Sequence, residues 1–301
     1  MSLSGRYDYS LLTHDFVARV IIADEKMKYI ISQLNWQIYM VRQIDITKVD
    51  LSSGKVQMIQ DCVAEEVPLH LFVNNSFWAT ILCSPTNLKE LAVGHLLSEG
   101  VLKSVEEIEE VTLKEAEATC QVKLKPSINA EERMKLSRLH QRVITSACGS
   151  GSPYQYTGKT PKVKSRLSVK AQVIFDSVNQ LNFKAEGFRQ TGGLHVAAIY
   201  HADGSLVALA EDVGRHNAVD KVIGIAALNR VDFSTCFIAL SGRMSGDVAF
   251  KSAKVGLPIV ASLSAALSSG VAMAETANLT LVGFVRGKRM NIYTIPERIL
   301  I

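Results

Sequence analysis

The stretch LHVAAIYHADGSLVALAEDVGRHNAVDKVIGIAALN, residues 194–229, decides the fold. Two apolar runs flank Asp203-Gly204, a pair suited to a tight turn, so the first half reads as a β-hairpin. Glu211 and Asp212 close the second run. Gly214 turns the chain, and Arg215 and His216 open a segment with helical spacing of apolar residues. Similar handovers follow. TCFIAL (235–240) reads as a buried strand and SGDVAFKSAKVG (245–256) as a helix. LPIVAS (257–262) is a strand, AALSSGVAMAETAN (265–278) mostly helix, LTLVGF (279–284) a strand and RMNIYTI (289–295) a last strand. Upstream, SVKAQVIFDSVNQL (168–181) reads as a helix capped by Ser168. Such alternation predicts an α/β sheet with helices on both faces.

Residues 43–82 read mostly as strand. VPLHLFVNNSFWATILC (67–83) is a hairpin with Asn74-Asn75 at its turn. SPTNLKELAVGHLLSEG (84–100) predicts a helix capped by Thr86 and stopped by Gly100. EEIEEVTL (106–113) and ATCQVKLKP (118–126) alternate like a second strand pair, with Glu106 to Glu110 as a solvated surface. A short helix is expected around Glu131 to Leu139. GKTPKVKSR (158–166) places Lys159, Lys162, Lys164 and Arg166 around Pro161 and reads as a basic linker, most plainly a solvated tether. The division expected is an N-terminal α+β domain over 1–145, a flexible loop and linker over 146–166, and an α/β domain over 167–301.

The chain has 301 residues, 48% hydrophobic and 21% charged, which excludes a disordered polymer. A net charge of +4 gives weak support for an anionic ligand and none for nucleic acid. The uncharged run VGLPIVASLSAALSSGVAMA (255–274) is long enough to span a bilayer. Pro258, Gly270 and its serines break it into strand, turn and helix start, so a buried core is expected and no membrane span. His14, Asp15 and Arg19 interrupt the apolar stretch near the N-terminus, so no signal peptide is expected there. Five scattered cysteines without metal-ligand spacing read as reduced, and a cytoplasmic location is expected.

Chemistry is expected where strands hand over to helices, since ligands in open α/β sheets bind outside the carboxyl ends of strands. Helix N-termini there suit phosphate, and arginine supplies a forked donor. AEDVGRH supplies Arg215 and His216, and LSGRMSGD supplies Ser241, Gly242 and Arg243. Asp212 and Asp220, four residues either side of His216, are expected to favour a charged imidazole. His195 in TGGLHVAA reads as a structural histidine. Cys148 sits apart in ITSACGSGSP (144–153), among small residues and followed by cations that would favour a thiolate. Cys62, Cys83, Cys120 and Cys236 read as small core residues.

TGGLHVAAI, EDVGRHNAVDKVIG and NLTLVGFVRGKRMNIYTIPERI, with EVPLHLFVNN and LAVGHLLSEG upstream, resemble the formate dehydrogenase accessory sulfurtransferase family, FdhD. The resemblance runs from about Glu66 to Ile299. It implies a sulfur carrier that moves sulfur from a cysteine desulfurase to the molybdenum or tungsten bis(molybdopterin guanine dinucleotide) cofactor, a bound substrate needed by formate dehydrogenase. It implies a sulfurtransferase acting through a persulfide on Cys148, without an intrinsic metal. A cytidine deaminase-like fold is implied for the larger domain, and a homodimer for the assembly. It further implies cofactor contact by Phe284, Val285, Arg286, Gly287, Lys288 and Arg289, with Arg215, His216 and Arg243 lining the same crevice. Many relatives carry two cysteines in the loop, three positions apart. Here Gly151 stands at the second position, which leaves open an alternative in which the protein binds and delivers the cofactor without transferring sulfur. A zinc-dependent base deaminase is disfavoured, because His195 is followed by Val196 and Ala197 rather than by a glutamate at the second position.

Overall fold

The computed structural model describes residues 40–140 and 160–301. Strand β1 (Val41–Asp50) pairs with β2 (Lys55–Ala64) in a sheet of its own. Strands β3 (Val67–Val73) and β4 (Ser76–Cys83) form the expected hairpin. Asn74 and Asn75 both take positive φ at its turn (46° and 67°), a conformation asparagine tolerates better than most residues. Strands β5 (Ile108–Lys114) and β6 (Thr119–Leu124) complete a four-stranded sheet in the order β4-β3-β6-β5. Helix α1 (Leu88–Ser98) follows β4, and α2 (Ala130–His140) follows β6.

The C-terminal half builds a six-stranded sheet in the order β13-β12-β11-β10-β8-β9. Its strands are β8 (His195–His201), β9 (Leu206–Asp212), β10 (Cys236–Leu240), β11 (Ile259–Ser262), β12 (Thr280–Arg286) and β13 (Arg289–Ile292). The inner trio β10, β11 and β12 runs parallel, while β8, β9 and β13 run antiparallel to their neighbours. Helices α3 (Ala171–Lys184) and the short α4 (Glu186–Thr191) precede the sheet. Helices α5 (Arg215–Leu228), α6 (Gly246–Val255) and α7 (Ser268–Ala277) connect its later strands. Two short strands, β7 (Val169–Lys170) and β14 (Ile299–Leu300), pair with each other in parallel.

Strand periodicity sorts side chains to the two faces. Val196, Ala198 and Tyr200 of β8 pack with Ile174, Val178 and Leu181 of α3. Ala197 and Ile199 join the other core, where residues of α5, α6 and α7 meet α1 and the small sheet. That second core is continuous from Leu69 and Leu71 of β3 to Ile238 of β10. Its tightest contact joins α1 to α5. A Cβ on Gly94 would lie 1.8 Å from the Asp220 carbonyl oxygen, and one on Gly224 would lie 1.9 Å from that of Glu90. Only glycine permits this approach.

Several local expectations change. Helix α1 begins at Leu88 behind Asn87 (φ 52°), and Thr86 is no cap; its hydroxyl receives a long bond from Lys221 (3.5 Å). Ser168 does not cap α3, because β7 intervenes and Lys170 stands at the helix start. Glu107 is not simply solvated: it receives a two-pronged bond from Arg133 of α2, with Nη2 at 3.0 Å from Oε1. Of the basic stretch, residues 160–166 lie within the described part and are anchored. Val163 is buried and its amide donates to Ala277, Asn278 donates to the Val163 carbonyl, and Arg298 donates to that of Ser165. Cys83, Cys120 and Cys236 are buried, whereas Cys62 on β2 is only half-buried. The long uncharged run becomes the end of α6, β11 and most of α7. Among the described residues, no helix is long and apolar enough to cross a membrane.

Candidate functional site

The sheet order brings several strand ends to one edge. β9 ends at Asp212 opposite His195, where β8 begins, while β10, β11 and β12 run out toward the same side. The joint after β9 is held by Asp212. Its Oδ1 accepts from the Gly214 amide (2.8 Å) and Asn217 Nδ2 (2.9 Å), and its Oδ2 accepts from the Ser84 amide (3.0 Å) and Lys221 Nζ (2.7 Å). Lys221 also donates to the Ser84 carbonyl at 3.0 Å. One buried ion pair thus ties the middle of α5 to the end of β9, and through Ser84 both are bonded to the end of β4. Glu211 accepts from the amides of Gly187 (3.1 Å) and Phe188 (2.7 Å) at the start of α4, and burial raises its pKa above the ordinary carboxylate value.

The joint after β10 is likewise fixed by hydroxyls. Ser241 Oγ accepts from the Val196 amide (2.9 Å) and lies 3.4 Å from His195 Nδ1. Ser262 Oγ sits 2.7 Å from the Gly242 carbonyl, to which it donates. A Cβ on Gly242 would stand 3.1 Å from Arg215 Cβ and 3.5 Å from His195 Nδ1, so the two joints meet here. Burial lowers the His195 pKa, and the positive charges of Arg215 and Arg243 push it the same way. The side chains of Arg215 and His195 are half-buried, and Arg243 is exposed.

His216 departs from expectation. Burial first, then Arg215 and Lys251, push its pKa down to about 4, so it is neutral at pH 7. The carboxylates expected to charge it are engaged elsewhere. Asp212 holds Lys221, and Asp220 accepts from Lys251 (2.8 Å), Ser98 Oγ (2.7 Å) and His95 Nδ1 (3.1 Å). His216 Nε2 instead lies 3.4 Å from Ser245 Oγ and 4.0 Å from Asp247.

Phe284 to Arg289 form the turn between β12 and β13. Phe284 takes φ 51° at a bulge, and its amide donates to the Ser264 carbonyl at 2.9 Å. The Arg286 guanidinium lies over the Phe284 ring at 5.4 Å. Gly287 and Lys288 turn at positive φ, and Arg286, Lys288 and Arg289 are exposed. Val285 differs from the expected contact: its side chain is fully buried in the core under α3, leaving only its backbone near the turn. The fold therefore sets Arg215, His195 and Arg243 together and places the Phe284–Arg289 turn on the same edge, two strands away from β10. Cys148 lies outside the described residues.

Sequence reading missed Lys221 and Lys251 as organisers of this edge. The available signal was Asp220-Lys221 inside the apolar helix AVDKVIGIAA, since charges on a buried face need partners. Among the described residues, no three His, Cys, Asp or Glu side chains converge to ligate a metal ion. A cavity of about 550 Å³ opens at the opposite end of the sheet, beside Arg230, Phe233 and Lys254 near the C-termini of α5 and α6. Lys254 there lies over Gly100, behind the end of α1, a usual position for a cation.

These features define a mixed α/β protein with several sheets and a cation-lined edge on the largest. The model of the FdhD/NarQ family matches residues 64–300, and the chain belongs to that family. It is 37% identical over 264 residues to the "Sulfur carrier protein FdhD" of Saccharolobus solfataricus, covering 86% of this chain and 98% of that one. Identity is 36% with the protein of the same description from Shouchella clausii, covering 82% and 93%. A crystal structure of a candidate formate dehydrogenase accessory protein from Desulfotalea psychrophila superposes with a TM-score of 0.69 at 25% identity, covering 87% of this chain and all of that one.

Proposed function

We propose that this protein is a sulfur carrier that serves formate dehydrogenase as a sulfurtransferase. In this reading Cys148 attacks the outer sulfur of a cysteine desulfurase persulfide, and the desulfurase thiolate leaves. The S–S bond on Cys148 then breaks, releasing the Cys148 thiolate and passing the outer sulfur as sulfide to the molybdenum or tungsten bis(molybdopterin guanine dinucleotide). That cofactor is bound as substrate in its reduced form, and its metal supplies the two electrons. The observation that carries the reading is the family match over 64–300, which includes Cys148, together with near-complete coverage of relatives described as sulfur carriers. The other cysteines support it. Burial pushes the thiols of Cys83 and Cys120 up to about 12 and about 11, and raises that of Cys236, so none of the three forms a ready thiolate. The cationic edge supports the cofactor half: Arg215 and Arg243, with Arg286, Lys288 and Arg289, suit the phosphates of a guanine dinucleotide. The six-stranded sheet covered by helices on both faces supports a cytidine deaminase-like reading of residues 167–301, beside the smaller domain over 1–145 and the segment 146–166.

Incubation with a cysteine desulfurase and free cysteine should leave one extra sulfur on the peptide containing Cys148, read by mass spectrometry. Undiminished sulfur uptake by Cys148→Ala would overturn the reading. Gly151, in place of a second loop cysteine, favours a second reading in which the protein delivers the cofactor without carrying sulfur. Cofactor binding with no persulfide on Cys148 would establish that one.

A further inference from the structure

Strands β1 and β2 stand apart from the other sheets, and among the described residues neither pairs with a third strand. Their ladder runs from Val41↔Ala64 to Asp50↔Lys55 without a register shift. The base packs at α4, where Ala64 Cβ would lie 3.2 Å from a Cβ on Gly193. The free end carries Val49, Val56, Met58 and Leu51 at 53%, 63%, 82% and 94% exposure. A lone two-stranded ribbon is marginal in water. Strand β1 carries the charges Arg42, Asp45, Lys48 and Asp50 along its edge but has neither proline nor bulge in its ten residues to stop a further strand from pairing.

We propose that β1 pairs antiparallel with β1 of a second copy, across a two-fold axis at Ile46, joining two arms into one continuous sheet. The resemblance implies two copies without saying which surface joins them; the charge order of β1 supplies the surface and the register. Residues directly opposite in an antiparallel pair share a face, so a strand pairing with its own copy sets one residue against itself. With Ile46 on the axis, Arg42 faces Asp50 at both ends, Asp45 faces Thr47, Gln43 faces Val49, and Ile44 meets the aliphatic stem of Lys48. Every charge has an opposite or polar neighbour, or a stem packed on an apolar one.

Other registers lose this match. Centring on Asp45 sets that carboxylate on itself and Arg42 on Lys48. Centring on Thr47 sets Ile44 on Asp50 and Ile46 on Lys48. Centring on Lys48 puts two ammonium groups on the axis. Like charges directly opposite are destabilising and opposite charges favourable, and of these registers only the one centred on Ile46 sets Arg42 against Asp50, so it is selected. It also sets Leu51 opposite Val41 of the second copy, at the base of that arm. Each exposed apolar tip then lies beside the folded body of the other copy, rather than in water. The partner is a second copy because the complementarity is internal to one strand: Arg42 of each copy answers Asp50 of the other.

The register gives a cross-linking test on the full chain. Cysteines on the axis face each other within reach of a disulfide, while those at neighbouring positions do not. Ile46→Cys should give disulfide-linked dimers under mild oxidation, with the linked peptide identified by mass spectrometry. Asp45→Cys and Thr47→Cys should give no more cross-linking than the unmodified chain. Light scattering should report a dimer for the unmodified protein. Arg42→Glu, which sets Glu against Asp50 twice, should weaken association at least tenfold while circular dichroism stays unchanged. A monomer at all concentrations would overturn the proposal, as would equal cross-linking at all three positions, or a dimer indifferent to Arg42→Glu and without the Ile46→Cys link. Neither measurement depends on sulfur transfer, so failure here leaves the proposed function standing.

Discussion

Lys221 Nζ lies 2.7 Å from Asp212 Oδ2, and both side chains are wholly enclosed. The pair spans the joint from β9 to α5 and, through Ser84, the end of β4. Removing one partner of a buried pair leaves an uncompensated charge, at a cost of about 3–5 kcal/mol. Lys221→Met should lower the urea unfolding free energy by roughly that amount. A loss under about 1 kcal/mol would mean that water reaches the carboxylate and that the pair does not hold this edge.

Glycine governs the packing just behind the joint. Glycine to alanine within a helix ordinarily stabilises by about 0.5–1 kcal/mol. At Gly94 and Gly224 the sign should reverse, because each new methyl would strike carbonyl backbone at 1.8 Å and 1.9 Å. Backbone cannot rotate away as a side chain can, so α1 and α5 must separate. Overpacking of this kind costs about 1–3 kcal/mol or more. Thermal melts of Gly94→Ala and Gly224→Ala should both show clear losses, and an unchanged midpoint would disprove the close approach.

Stability should also fall in mild acid, and the sign follows from His216. Its pKa in the folded protein is about 4, against an ordinary value of about 6.5 in the unfolded chain. Between those values the unfolded chain binds a proton that the folded one refuses. Stability is therefore complete above about pH 6.5 and declines as pH falls toward 4. His195, lowered by burial and nearby arginines, acts in the same direction. Asp220, held well below the usual carboxylate range by Lys251 and His95 against its burial, adds a further loss below about pH 4. Urea midpoints measured from pH 7.5 to 4.5 should slope downward, and His216→Gln should flatten the slope. A His216→Gln profile parallel to the unmodified one would place the titration elsewhere.

Much of this architecture was legible because it is local. The Asn74-Asn75 and Asp203-Gly204 hairpins, and the alternation after residue 194, are written in neighbouring residues. What escaped depends on distant partners. Ser168 looks like a helix cap until Ile299 and Leu300 arrive to pair with Val169 and Lys170. The basic stretch looks like a tether until Ala277 and Asn278 hold Val163. The charge state of His216 was misread because spacing of four suggested that Asp212 and Asp220 would serve it, while Lys221 and Lys251 claim both. Arg215 and Arg243 were singled out from glycine and arginine at strand ends, a local signal, whereas the Phe284–Arg289 turn was singled out on the family resemblance alone. Val285 was counted with them because spacing within a turn does not say which side chain points inward.

The turn between β12 and β13 should be tested with guanine nucleotide, as a fragment of the expected cofactor. Arg286 and Arg289 pair across the hairpin and are exposed, and Gly287 between them takes positive φ, so the backbone turns with the cations outward. Arg286 already lies over Phe284, which gives an aromatic face and a guanidinium in one place for stacking and phosphate contact. GDP binding measured by calorimetry should weaken as salt rises, because exposed cations are screened. Arg286→Ala combined with Arg289→Ala should reduce affinity at least tenfold, about 1.4 kcal/mol. The fold should be retained, since neither side chain is buried. Arg230→Ala, at the cavity on the opposite end of the sheet, should leave affinity unchanged. If the double variant bound GDP as the unmodified protein does, the turn would be no more than a soluble hairpin tip. If Arg230→Ala carried the loss instead, the nucleotide would belong to the far cavity.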